Sequence, residues 1–246
     1  MVRVREVRGH DTVSWIPQKY WNKLHIIPDD ADQLAFDRNI NKPLVVIEHG
    51  IMDITMKCKY PEERDCYSLL YADYYLCSTK ESYDGLIAKG KKAFYTGMAF
   101  ADIVKPVVYE PSMLVYMPDH GIMDPVTGEW IHMDATLSKS ALEGLVEEHD
   151  CDNFITSALS EDPRYLDYHR IVMSNRNNVQ EHLDKCKSLM SIAKVVVSPV
   201  GITFAVVAKA LGIKVVADKE LLTTLADGKC KERILDTLDA IISGRV

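Results

Sequence analysis

The sequence has few of the features that would place it at once. Its six cysteines (Cys58, Cys66, Cys77, Cys151, Cys186 and Cys230) include no CxxC pair and no ligand-like cluster. That argues against zinc-finger and disulfide-scaffold readings and leaves reduced thiols as the expectation. There is no GxGxxG and no GxxxxGK followed by Ser or Thr, so the standard dinucleotide and P-loop fingerprints are absent. Basic charge is not in excess: 29 Lys and Arg stand against 36 Asp and Glu, a formal net charge of -7. That balance argues against broad polyanion binding and gives no support to a DNA acceptor. The longest apolar stretch, ITFAVVAKALGIKVVA, is broken by two lysines and a glycine, so no membrane span is expected. The start, MVRVREVRGHD, has charge but no apolar core, so no secretory signal is expected and a cytoplasmic location is.

What is present is a globular composition, 47% hydrophobic and 26% charged, in 246 residues. That length suits one large domain or two small ones with a sizeable core. The pattern along the chain alternates strands with helices. PLVVIEHG (43–50) reads as a buried strand, β-branched and closed by glycine. YYLCS and KAFYTG read as further strands around a short helix, ESYDGLIAKG, that stops at Gly90. The segment DIVKPVVYEPS (102–112) has two prolines and no helical period, and reads as a linker. Beyond it the alternation restarts with the strand MLVYMPDHG, a helix within 134–150, the strand DNFITSA and a short RIVMSN. The helix 178–193, the strand KVVVSPVG, the helix ITFAVVAKALG and the strand IKVVAD follow. The end, from Lys219, reads as helical with a break near Gly228.

This alternation predicts an α/β fold with mainly parallel sheets in two Rossmann-like lobes. The expected division is an N-terminal lobe over 1–109, reduced because few strands precede residue 43, and a C-terminal lobe over 110–246.

A hexapeptide occurs twice. Glu48-His49-Gly50-Ile51-Met52-Asp53 closes the first strand, and Asp119-His120-Gly121-Ile122-Met123-Asp124 closes the strand that opens the second lobe. In open α/β sheets ligands bind beyond the carboxyl ends of the strands, which is where both His-Gly turns fall. Glycine lets the backbone turn and approach a ligand closely, and histidine exchanges protons near neutral pH. His49 is the stronger proton-transfer candidate, with Glu48 or Asp53 as the carboxylate that orients it. The alternative for either histidine is a hydrogen bond to a neighbouring loop.

Ser198-Pro199-Val200-Gly201-Ile202-Thr203 joins a strand to a helix in the clearest βαβ unit of the chain. A helix start offers free N–H groups and the positive end of its dipole to phosphate. Ser198 and Thr203 add hydroxyls, although plain N-capping would use the same residue types. Asp30-Ala31-Asp32 is a DxD metal signature without a fitting context, and His149, Asp150 and Asp152 read as a solvated helix end.

These stretches resemble a known family. LDKCKSLMSIAKVVVSPVGITFAVVAKALGIKVVAD (183–218) is similar to the nucleotide-binding half of GT-B glycosyltransferases. It is closest to the CDP-glycerol glycerophosphotransferases and UDP-N-acetylglucosamine 2-epimerases. VVIEHGIMD and CSTKESYDGLIAKGKKAFYTGMAFADIV resemble the His-Gly turn and the following "vTG.p..D" stretch of the glycerophosphotransferases. The resemblance covers roughly 43–220. It implies transfer from a nucleotide-activated sugar or polyol to an acceptor hydroxyl, with no metal and no cofactor. In that scheme His49 is the general base on an acceptor-side turn with Gly50. His120, Gly121, Ser198, Gly201 and Thr203 bind the donor. HGIMDIT stands where the family has HGTPLK, Pro199 replaces a usual acidic residue, and the chain is shorter than most members. An epimerase or hydrolase on the same scaffold, and a non-catalytic nucleotide-binding module, are the alternative readings. The shortened first lobe leaves room for a homodimer.

Overall fold

Four apolar residues in succession, Leu44–Ile47, are all buried, as expected of a parallel strand covered on both faces. A computed structural model of the chain describes residues 13–28, 41–48, 72–118, 122–123, 130–131, 137–158, 170–172, 179–199, 203–218 and 220–246. It divides into two compact units, Met1–Asp102 with Leu222–Val246, and Ile103–Leu221.

In the first unit, α1 (Gln18–Trp21) precedes the strands β1 (His25–Pro28), β2 (Leu44–Ile47), β3 (Tyr74–Cys77) and β4 (Ala93–Tyr95). They form one all-parallel sheet in the order β1-β2-β3-β4. α2 (Lys80–Ala88) joins β3 to β4, and α3 (Ala99–Val104) follows β4. Strand alternation sorts the side chains onto two faces. Ile26, Val45, Ile47 and Leu76 pack with Tyr20 and Trp21, while Ile27, Leu44, Val46, Tyr75 and Cys77 pack with Leu86 of α2. α2 stops as expected at Gly90, which takes φ +69.

The second unit holds β5 (Met113–Tyr116), β6 (Ile122–Met123), β7 (Trp130–Ile131), α4 (Lys139–Glu148), β8 (Asn153–Ala158) and β9 (Arg170–Val172). α5 (Val179–Ile192), β10 (Ala193–Val197), α6 (Thr203–Ala210) and β11 (Lys214–Val216) complete it. Five strands form a parallel sheet in the order β11-β10-β5-β8-β9, and β6 and β7 pair separately as an antiparallel ribbon. Counted in chain order, the sheet is 3-2-1-4-5 read from β9. That is the Rossmann order 3-2-1-4-5-6 without its sixth strand. The expected α/β class with two Rossmann-like, mainly parallel units therefore holds.

Three expectations change. The segment read as a linker starts inside α3, and the boundary between the units falls at Asp102. Residues 219–227, read as helical, form no helix where described; Thr224 instead makes a bridge with Thr79. The last helix, α7 (Cys230–Ile242), belongs to the first unit and not to the second lobe. The physical reason is its apolar face: Ile234, Leu238 and Ile241 close the sheet face formed by Val45 and Ile47. Among the described residues no helix is long and apolar enough to cross a membrane.

Gly97, just after β4, takes φ +75, and a Cβ there would lie 2.7 Å from Leu225 Cβ and 2.9 Å from Cys230 Sγ. Backbone conformation and space both require glycine. We expect Gly97→Ala to lower stability by about 2 kcal/mol or more. Leu238→Ala should cost about 2–5 kcal/mol. Both are read from urea unfolding midpoints, and an unchanged midpoint for Leu238→Ala would remove α7 from the core.

Candidate functional site

Glu48 directly follows β2, and only 1% of it is exposed. Its carboxylate binds the head of α2. Oε2 accepts from the backbone N–H of Ser78 at 2.6 Å and of Thr79 at 2.9 Å. Oε1 accepts from Thr79 Oγ1 at 3.3 Å and from Ser82 Oγ. The backbone of Glu48 is held as well: its N–H donates to Leu76 O at 3.0 Å, and its carbonyl accepts from Ser78 Oγ at 2.8 Å. A buried carboxylate is tolerable only when hydrogen-bonded in this way, and the helix dipole adds to the attraction.

Several donors at this helix start are bonded within the chain. Ser78 and Thr79 donate to Glu48, Lys80 N donates to Thr223 O at 2.9 Å, and Ser82 N donates to Thr79 Oγ1 at 3.4 Å. The segment leading to α7 completes the junction. Thr224 Oγ1 donates to Ser78 O at 2.6 Å, and Thr223 N donates to both oxygens of Glu81 at 3.0 and 3.1 Å. The head of α2 is therefore a structural junction.

The stretch that resembles "vTG.p..D" supplies a second junction. Arg233 of α7 donates from Nε to Thr96 O at 2.9 Å and pairs bidentately with Asp227 at 2.8 and 3.0 Å. Asp102 Oδ2 accepts from Lys231 N at 2.7 Å and so caps α7. Burial pushes the Cys230 thiol up to about 12. Burial, with Glu81 nearby, pushes the Tyr95 phenol up to about 12.

In the second unit the strand order reverses between β5 and β10, which defines the topological switch point. The carboxyl ends of these strands are neighbours: Met117 N donates to Val197 O at 2.8 Å. In the sequence His120 follows β5, and residues 198–203 follow β10. Ser198 N donates to Val216 O at 2.9 Å, and Asp218 N to Pro199 O at 3.2 Å, which ties in β11. Ser198 is fully buried, while Thr203 is half-buried at the first position of α6. Phe204 to Ala208 are buried without interruption, more than a full turn, while Lys209 and Ala210 at the end of α6 are exposed.

His49, Gly50, Asp53, His120, Gly121 and Gly201, and the DxD at Asp30 and Asp32, lie outside the described residues. The helix end at His149 differs from expectation. Its side chain is 6% exposed, and Nδ1 lies 3.2 Å from Lys214 Nζ. An ammonium only donates, so Nδ1 is the acceptor and Nε2 carries the proton. Nε2 has no hydrogen-bond partner. Cys77, Cys151, Cys186 and Cys230 are free thiols. Among the described residues no group of three or more His, Cys, Asp and Glu side chains is placed to hold a metal. The residues missed in the sequence are Ser78, Thr79, Ser82 and Thr224. The Ser/Thr-rich start of CSTKES was the available signal for the first three.

The geometry thus defines a class: an α/β chain with two Rossmann-like units, one of which has a Rossmann switch point. No family model matches the chain, and none of the curated proteins matches it. Solved structures do. A protein from Listeria monocytogenes, provisionally assigned as a UDP-N-acetylglucosamine 2-epimerase, is 18% identical over 87% of this chain and 64% of its own, with a TM-score of 0.50. The UDP-GlcNAc 2-epimerase from Neisseria meningitidis, bound to UDP-GlcNAc, is 14% identical over 89% of this chain and 67% of its own, with a TM-score of 0.47. A variant of the wall teichoic acid polymerase TagF is 14% identical over 89% of this chain and 65% of its own, with a TM-score of 0.49. The chain spans less than two thirds of the length of the first of these. At such identities the first likeness concerns the fold, and it agrees with the GT-B-like class expected from the sequence.

Asp227 gives a pH prediction. Its hydrogen bonds to Arg233 hold its carboxyl down at about 2. A depressed carboxyl contributes stability that is present above its ordinary value near 4 and is lost as pH falls toward 2. The side chain is 50% exposed, so solvent screening keeps the effect small. Asp227→Asn should flatten the acid limb of the stability profile between about pH 4 and 2. An acid-unfolding midpoint identical in slope and position would contradict the pairing.

Proposed function

We propose that the chain transfers a group from a nucleotide-activated sugar or polyol to an acceptor hydroxyl. The observation that carries this reading is the switch point between β5 and β10, whose carboxyl ends are followed in the sequence by His120 and by residues 198–203. Ligands of open α/β sheets bind at such a point. The donor's phosphates lie against the start of α6, with Gly201 allowing close backbone approach and Thr203 supplying a hydroxyl. Ser198, being buried, serves this site through its place in the turn. His120 and Gly121 complete the donor side.

His49, on its turn with Gly50, takes the proton of the acceptor hydroxyl. The acceptor oxygen attacks the donor carbon or phosphorus, and the nucleotide leaves with the electrons of the broken bond. Asp53 is the carboxylate assigned to orient the imidazole, because that of Glu48 holds the head of α2. A helix terminus and hydroxyls stabilise the leaving phosphate, so the scheme needs no metal. A second reading, epimerisation or hydrolysis of a sugar nucleotide, draws on the fold shared with the Listeria protein. Product analysis with a nucleotide sugar and no acceptor separates the two.

The direct test is a thermal-shift panel of UDP, CDP, GDP and their sugars. At a ligand concentration near 100 times Kd, binding adds about 2.7 kcal/mol, roughly 5–10 °C in Tm for a chain of this size. His49→Ala should keep that shift and lose transfer. A panel with no response sinks the reading, and near-normal turnover in His49→Ala removes the base.

A further inference from the structure

Glu48 follows β2 directly and stands one residue before His49 in the sequence, so whatever fixes it fixes the carboxyl end of that strand. Four donors converge on its carboxylate, and its own N–H and carbonyl are both held. The geometry points to Glu48 as a positioning residue, a brace that couples the seating of segment 222–225 to the carboxyl end of β2, one residue before His49 in the sequence.

The coupling runs through shared residues. Ser78 binds Glu48 through its N–H and its hydroxyl, and its carbonyl accepts from Thr224 Oγ1 at 2.6 Å. Thr79 binds Glu48 through its N–H and also makes the bridge to Thr224. Lys80 N donates to Thr223 O, and Glu81 receives Thr223 N. Lifting segment 222–225 would expose polar groups on the peptides that Glu48 holds. Removing the carboxylate would loosen the peptides on which the segment rests. Buried hydrogen-bond networks of this kind respond as a unit. Leu222–Val246 is the part of the chain that returns from the second unit to the first. The brace therefore makes the carboxyl end of β2, from which the chain continues to His49, depend on the seating of that return.

The effect on catalysis rests on the proposed role of His49; the coupling itself does not. The test uses Glu48→Gln, Ser82→Ala and Thr224→Val in the full chain. It reads amide hydrogen exchange and, where turnover is found, kcat, KM and the pH profile. In Glu48→Gln, exchange at residues 78–83 and at 222–225 should rise together by about tenfold or more, the scale of one lost charged hydrogen bond. Ser82→Ala should move both segments in the same direction by less. Thr224→Val should raise exchange at Ser78 and Glu48. In the enzyme assay kcat should fall about tenfold in Glu48→Gln, with donor KM within about twofold and the pH midpoint of kcat unmoved. A shifted midpoint would show Glu48 acting on the imidazole and overturn the brace. So would exchange that changes in one segment and not the other. If Glu48→Gln does not fold, the other two variants decide. If no nucleotide sugar is turned over, the proposed activity fails, and the exchange data still decide the brace.

Discussion

A single buried carboxylate organises the first unit. Burying the charge of Glu48 would be prohibitive alone, and it becomes favourable only because the head of α2 presents N–H groups and hydroxyls at the right places. Strand β2 must end where it does, α2 must begin where it does, and the segment before α7 must lie across both. These requirements reinforce one another. The same contact that satisfies a helix terminus also fixes the carboxyl end of β2.

The second unit relies on a different constraint, the order of its strands. β5 lies at the centre of the sheet because two strands were added on each side of it. Reversal of direction between β5 and β10 parts the connections on either side and leaves room at the carboxyl ends. The interior is apolar through α6, whose enclosed residues leave it little freedom to shift. Whatever binds at the switch point meets a helix start held rigidly from behind.

Much of this was legible in the sequence where one periodicity dominated. The runs Leu44–Ile47 and Ala193–Val197 are β-branched and apolar, and both are strands. Gly90 ends α2 because no other residue adopts its backbone angle at so little cost. The failures came where partners distant in sequence decide. LLTTL has helix-forming residues, but Thr223 and Thr224 bind residues more than 140 positions earlier, and those bonds outweigh local propensity. The placement of α7 depends on which apolar face it covers, and its own pattern cannot name that face. Glu48 was read as a catalytic carboxylate because it neighbours a histidine; its bonds to Ser78, Thr79 and Ser82, which follow β3, had no signal in its own neighbourhood of the sequence. His149 looked solvated because charged residues surround it, yet Lys214 and the sheet bury it.

The first unit is assembled from two separated pieces of chain. During synthesis, residues 230–242 emerge only after all of the second unit has been made. Until then the sheet face of Val45 and Ile47 has only the cover that residues 13–24 supply and lacks that of α7, while residues 103–221 already hold all five strands of their parallel sheet. The order of folding on the ribosome is thus written into the connectivity: the later unit can close first, and the earlier one waits for the returning helix.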